Sequence, residues 1–193
     1  MSKTFKIKSG KIVASDPCYT AGKWCQGTIP AKNGDWEVYV ETETNGRIKN
    51  ISAWNIEAAT NNTSLPNEVY TAGELPFVFG VDSGQFGYFD ADSYRNDNAV
   101  GNIPLADWFE IEKDGDKFYS ICCNATCSTD NYGVFPFGIV SSSGYGDGSY
   151  QTTGITDKDG NYIALATVFI EDRENDYDDE DEDEYEDETD EDI

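Results

Sequence analysis

Short stretches of alternating apolar and polar residues recur along the chain, and several pairs of them flank a Gly-containing dipeptide. Phe5-Lys6-Ile7-Lys8 and Lys11-Ile12-Val13-Ala14 flank Ser9-Gly10, and Trp36 to Glu41 and Arg47 to Ile51 flank Asn45-Gly46. Trp108 to Glu112 and Lys117 to Ile121 flank Asp114-Gly115, and Thr152 to Thr156 and Tyr162 to Ile170 flank Asp159-Gly160. Period-two alternation around a dipeptide whose Gly accepts positive φ predicts four β-hairpins.

Phe77 to Val81, Gly87 to Phe89 and Val134 to Val140 add short aromatic or β-branched runs, which brings the count to about ten strands, the range of a sandwich or barrel. Helical periodicity is confined to short pieces near Ser93 to Asn98 and Pro104 to Trp108. The fold expected is all-β or β-rich α+β, an antiparallel sandwich or open barrel.

Charge divides the chain in two. Net charge is −25, from 38 acids and 13 bases. From Glu171 to Asp192 there are seventeen acids and one base, Arg173, a net −16 that leaves −9 for the rest. Such a stretch buries too little apolar surface to offset the entropy of ordering it. The expected organisation is one β-rich domain over residues 1–170 and a disordered acidic tail over 171–193.

The same balance argues against direct nucleic-acid binding, because no surplus of cations exists to displace phosphate counterions. The local cluster Lys3, Lys6, Lys8 and Lys11 reads as the solvated side of a first strand. No apolar run approaches the ~18 residues of a membrane span, and the start, MSKTFKIKSGKIVAS, has no apolar leader core. Five Cys, an odd number, then fit a cytoplasmic protein with reduced thiols.

Histidine is absent from the sequence. That removes Ser-His-Asp and Cys-His nucleophile systems, His-ligated zinc and any imidazole base. Enzymes running on carboxylates remain, such as paired-acid glycosidases or Mg²⁺-assisted hydrolases. Cys18 with Cys25, and Cys122 and Cys123 with Cys127, stand seven, five and four positions apart. None forms Cys-x-x-Cys, so buried thiols are expected rather than zinc.

Three motifs concentrate polar groups at turns. "SSSGYGDGSY" (residues 141–150) lacks the Lys of a phosphate loop and the repeated acids of an EF-hand. It reads as a Gly-rich connection between strands, or as a loop that brings Ser143, Tyr145, Asp147 and Tyr150 to the rim of a pocket. "VDSGQFGYFDADSY" (81–94) places Asp82, Ser83 and Gln85 between two strands. Asp90 and Asp92 lie two apart, where they cap a helix over Ser93 to Asn98 or, less expectedly, hold Mg²⁺ or Ca²⁺. "SDPCY" (15–19) ends a strand with Asp16-Pro17, where an Asx turn is expected, followed by Tyr19. The four Trp, ten Phe and twelve Tyr are expected in the core rather than stacked on bases.

"SDPCY", "VDSGQFGYFDADSY", "GIVSSSGYGDGSY" and "YIALATVFI" together resemble, in order and spacing, an uncharacterised family of bacteria and their phages, domain of unknown function forty-two forty-one. The resemblance covers about Lys11 to Ile170 and implies no established activity and no catalytic residues. It implies a small cytoplasmic accessory protein encoded by a phage and acting on host machinery.

The function expected is therefore a non-enzymatic binding protein. Its ligand-binding candidates are Asp16, Tyr19, Asp82, Ser83, Gln85, Asp90, Asp92, Ser143, Tyr145, Asp147 and Tyr150, gathered at one end of a sandwich. No cofactor is expected. The acidic tail would engage a host protein with a basic surface, mimicking a nucleic-acid backbone. Two alternatives are a carboxylate- or Mg-dependent hydrolase using the loop aspartates, and a minor virion component.

Overall fold

The computed structural model describes residues 3–20, 23, 26–76 and 78–171, with the side chain of Gln26 excepted. The expected disorder of the acidic tail, and the places of Trp24, Cys25 and Phe77, lie outside the described residues.

Two five-stranded antiparallel sheets share one core. The first runs β1 (Thr4–Ile7), β4 (Gly34–Thr42), β5 (Ile48–Asn55), β12 (Tyr162–Val168), β11 (Thr152–Thr156). The second runs β3 (Gln26–Pro30), β2 (Lys11–Ser15), β7 (Gln85–Asp90), β9 (Gly138–Ser142), β8 (Tyr132–Phe135). A short ribbon pairs β6 (Phe79–Val81) with β10 (Gly148–Tyr150). Trp36, Ile51 and Leu165 from the first sheet and Ile12, Phe86, Tyr88 and Ile139 from the second are all buried in that common cluster. This is the expected antiparallel sandwich.

Helices cover both outer faces. On the first sheet, α1 (Ile56–Asn61) and α2 (Leu65–Glu68) bring Leu65 and Val69 against Ala164 and Ala166. On the second, α3 (Asp97–Val100) and α4 (Asp116–Thr126) bring Val100, Phe118, Ile121 and Cys122 against Val13, Phe89 and Val140. Phe89, Tyr94 and Phe118 meet with ring centroids 5.2 to 5.5 Å apart, a geometry worth about 0.5–1.5 kcal/mol per pair beyond area burial. Because the central strands are covered on both sides, β7 is buried at all six positions and shows no alternation.

Two of the four expected hairpins form. β4 and β5 pair across Asn45-Gly46, where Asn45 Oδ1 accepts from Arg47 N at 2.9 Å and Gly46 takes φ 85°. β11 and β12 pair across Asp159-Gly160, with Thr152 opposite Thr167.

The other two do not. Ser9-Gly10 is a corner between sheets, because β1 pairs with β4 and β2 with β3 and β7. Its N–H groups are taken from a distance: the Asp90 carboxylate accepts from Lys8 N and Ser9 N at 2.7 and 2.9 Å, and Asn33 Oδ1 accepts from Gly10 N at 2.8 Å. With those donors engaged, β1 cannot ladder onto β2.

Lys117 to Ile121, expected as a strand, lies in α4. Phe118, Ile121, Cys122 and Ala125 follow the i, i+3, i+4, i+7 spacing of an apolar helix stripe. Carboxylates hold the helix start: Asp116 Oδ2 accepts from Glu112 N and Lys113 N, and Asp97 accepts from Gly115 N and Phe118 N, all at 3.0–3.1 Å. Its supposed partner, Trp108 to Glu112, joins no sheet. Pro104 to Trp108 is not helical either.

Candidate functional site

The "SDPCY" turn follows β2 with Asp16 fully buried. Its carboxylate accepts four hydrogen bonds: Oδ1 from Cys18 N (3.0 Å) and Ser83 Oγ (2.6 Å), Oδ2 from Asp82 N (2.9 Å) and Ser83 N (2.7 Å). The Cys18 bond is the expected Asx turn. The other three bind the loop between β6 and β7 onto the end of β2. Four donors occupy the acceptor sites of one carboxylate, so Asp16 organises two loops and keeps no lone pair turned toward a ligand.

The Gly-rich loop closes the third side. Ser143 N donates to Gly84 O at 3.0 Å, and Gly146 N donates to Ser143 O at 2.9 Å in a tight turn. Ser143 Oγ and Tyr150 Oη both donate to Gly146 O, at 2.8 and 2.7 Å. Gly144 must be Gly: φ is +60°, and a Cβ there would stand 2.9 Å from Ile170 Cγ1 and 3.0 Å from Phe169 Cβ. The loop connects strands of different pairings, β9 in the second sheet and β10 in the ribbon, so it is a corner rather than a hairpin.

The loops carrying Asp16, Asp82 to Gln85 and Ser143 to Gly146 therefore meet. Tyr19 and Asp82 sit at their surface, joined Oη to Oδ2 at 2.9 Å. Asp147 is exposed, and Tyr145 is 71% exposed. Ser83 is half-buried, while Gln85 and Ser143 are buried, so those two support the loops from beneath and do not rim a pocket.

Asp90 and Asp92 do not belong to this end. Asp90 pairs opposite Ile12, at the other end of β7 from Gln85, and spends its carboxylate on the Ser9 corner. Asp92 is exposed in the following turn. Neither caps a helix, since α3 starts at Asp97 with Asn96 as its cap. The chain leaves β7 through a turn, and residues 93–96 never enter a helix. The five loop aspartates thus do not converge, and among the described residues no group of three His, Cys, Asp or Glu side chains could hold a metal ion.

Beneath Asp16 lies a network that residue patterns did not reveal. Gln85 Nε2 donates to Cys123 Sγ at 3.5 Å, and the Tyr119 hydroxyl lies close enough to Ser83 and Cys123 for both to influence its ionisation. Burial, aided by the Asp16 charge, pushes the Cys18 thiol up to about 12. Burial likewise raises the Cys123 thiol and the Tyr119 and Tyr94 phenols. Each of these groups is held neutral near pH 7, the opposite of an activated nucleophile.

The open surface beside the Gly-rich loop is a groove of ≈ 760 Å³. Tyr145, Tyr150 and Phe169 supply its aromatic wall, and Glu43, Glu74 and Glu171 its carboxylates; none of the residues lining it is Lys or Arg. The Arg47 guanidinium lies 4.9 Å above the Tyr145 ring and donates to Gly144 O, so this ring face already carries a cation. Glu43 and Glu74, from different connections, carry no motif that would have marked them in the sequence.

Among the described residues no helix is long and apolar enough to cross a membrane. Comparisons with protein families, with curated proteins and with solved structures gave no match to this chain.

Proposed function

We propose that this chain is a non-enzymatic interaction protein that grips a basic segment of a partner protein in the groove between the Gly-rich loop and the end of β12. The observation that carries this reading is the pairing of an aromatic wall with three carboxylates and no lining cation. A Lys or Arg side chain laid there gains opposite charge for its head and an apolar wall for its stem, while the Tyr145 face itself already carries Arg47.

The acidic stretch begins at Glu171, on the rim of this groove. Its net −16 steers a cationic partner toward the groove and competes for the surface that a nucleic-acid backbone would occupy. The loop chemistry favours gripping over turnover: the buried aspartate is saturated with donors and the nearby thiols and phenols are kept neutral. On this reading the partner is a host factor, as the resemblance expected from the loop motifs would imply.

The test is calorimetric titration of the full chain with a Lys/Arg-rich nonapeptide, beside the triple variant Glu43→Gln, Glu74→Gln, Tyr145→Ala. Two rim charges at ~0.5 kcal/mol each and the apolar contact of the partner's side-chain stem with the Tyr145 wall at ~1 kcal/mol sum to about 2 kcal/mol, a weakening of roughly 30-fold. Equal affinity of variant and wild type would remove the groove from the function.

A further inference from the structure

On the outer face of the first sheet, beside α2, lies a pocket of ≈ 220 Å³ lined by Tyr39, Ser52, Trp54, Pro66, Asn67 and Tyr70. Alternation along β4 builds one wall: Trp36 and Val38 are buried, whereas Glu37, Tyr39 and Glu41 take the outer face. Register brings their partners on β5 alongside, Trp54 opposite Glu37, Ser52 opposite Tyr39 and Asn50 opposite Glu41. Tyr70 closes the pocket from the short turn after α2, where its neighbour Val69 packs on Ala164 and Ala166. The polar edges of the rings are already used. Trp54 Nε1 donates to Glu37 Oε2 at 3.3 Å, and Tyr70 Oη is hydrogen-bonded to Ser52 Oγ at 2.8 Å and Asn50 Oδ1 at 3.0 Å. Their faces are not: among the described residues Tyr39, Trp54 and Tyr70 stack on no other ring and carry no cation, unlike Tyr145 beneath Arg47.

We propose that this pocket takes a quaternary ammonium head group, a cation in which methyl groups stand where N–H groups would be. Charge favours a cation. None of the lining residues is Lys or Arg. Glu37 and Glu41 stand beside the rings; Glu41 also holds Lys49 Nζ at 3.5 Å and accepts from Asn50 Nδ2, and Lys6 on the next strand is held by Asp35 at 3.3 Å. Hydrogen bonding favours a methylated one. A primary ammonium brings three donors to satisfy, and the acceptors around the pocket are engaged by Trp54, Tyr70, Asn50 and Lys49. A methylated head group asks only for ring faces and nearby negative charge. A neutral ligand such as a proline ring would touch the same rings and draw nothing from the carboxylates.

The pocket shares no lining residue with the groove at Tyr145, so the two are tested apart. Choline is titrated into the full chain and followed by the NMR signal of the Trp54 indole N–H, beside its neutral carbon analogue, which carries a tert-butyl group in place of trimethylammonium. Choline is expected to bind about tenfold more tightly than the analogue, the worth of cation–π contact with two or three rings. Tyr39 is 50% exposed, so replacing it spares the core. Tyr39→Ala should weaken choline about fivefold, while Tyr39→Phe, which keeps the ring, should bind as the wild type does. A short peptide bearing trimethyl-lysine, run beside its unmodified twin, separates the two sources of such a group: tighter binding than choline assigns it to a partner's modified side chain, weaker binding to a free small molecule. A Trp54 signal that neither choline nor the trimethylated peptide moves overturns the proposal. So does equal binding of choline and its neutral analogue, or of the two peptides. Unchanged choline affinity in Tyr39→Ala also overturns it, since the attraction would then come from the acidic stretch.

Discussion

Replacing Asp16 by Asn changes one oxygen for an amide and leaves the shape intact, so its cost isolates what the carboxylate does. The amide can keep its oxygen toward Asp82 N and Ser83 N, and Ser83 Oγ can turn to accept from the new NH₂. The Cys18 N–H, bonded to Asp16 Oδ1 at 3.0 Å in the native turn, then faces a donor and is left unsatisfied. Losing one charge-assisted bond and stranding one buried donor costs about 2 to 3 kcal/mol. In a domain of this size that lowers Tm by roughly 5 to 10 °C. Asp16→Ala, which strands all four donors, should cost more. The assay is urea unfolding followed by circular dichroism, with thermal melts run with and without millimolar Mg²⁺ or Ca²⁺. The m-value should stay constant while the midpoint falls. An Asn variant as stable as the wild type would refute the account of Asp16 as the organiser of two loops. A Tm that rises with divalent cation in the wild type but not in the Asn variant would refute it in another way, by making Asp16 a ligand.

Two further outcomes follow from the same end of the molecule. Gly144→Ala puts a Cβ 2.9 Å from Ile170 Cγ1 at φ +60°, and should destabilise the domain by about 1–3 kcal/mol in urea unfolding; an unchanged midpoint would mean the loop relaxes freely. The Cys18 thiol, raised from 9.0 to about 12, should hold roughly a thousandth of an ordinary thiol's thiolate at pH 8. Mass-spectrometric mapping after brief iodoacetamide treatment should find Cys18 unmodified at pH 8 and increasingly modified as pH rises toward 11, and ready labelling at pH 7 would contradict the burial and charge that hold it neutral.

Chain-local physics made part of this protein legible before folding is considered. Asn45-Gly46 and Asp159-Gly160 set the register of β4–β5 and β11–β12, because a three-residue loop ending in a positive-φ Gly, closed by Glu43–Arg47 in one and Asp157–Asn161 in the other, and the alternation beside it are both encoded within a dozen residues. The Asx turn at Asp16 is equally local, and the absence of histidine bounds the chemistry whatever the fold. Ser9-Gly10 and Asp114-Gly115 carry the same kind of signal and came out differently. Donors in the first are claimed by Asp90, more than eighty residues away, and the second is claimed by Asp97 and by the apolar stripe of Phe118, Ile121 and Cys122 on the outer face of β7 and β9. A turn dipeptide supplies a bend, while the partner of each flanking segment depends on which distant carboxylate satisfies its N–H groups and which face needs covering. For the same reason Asp82 and Tyr19 could be singled out as candidates, but Glu43, Glu74 and Tyr145 become one groove only when β12 ends beside the Gly-rich loop. Carboxylates and aromatic rings act through proximity, and proximity between residues a hundred positions apart is a property of packing, not of spacing.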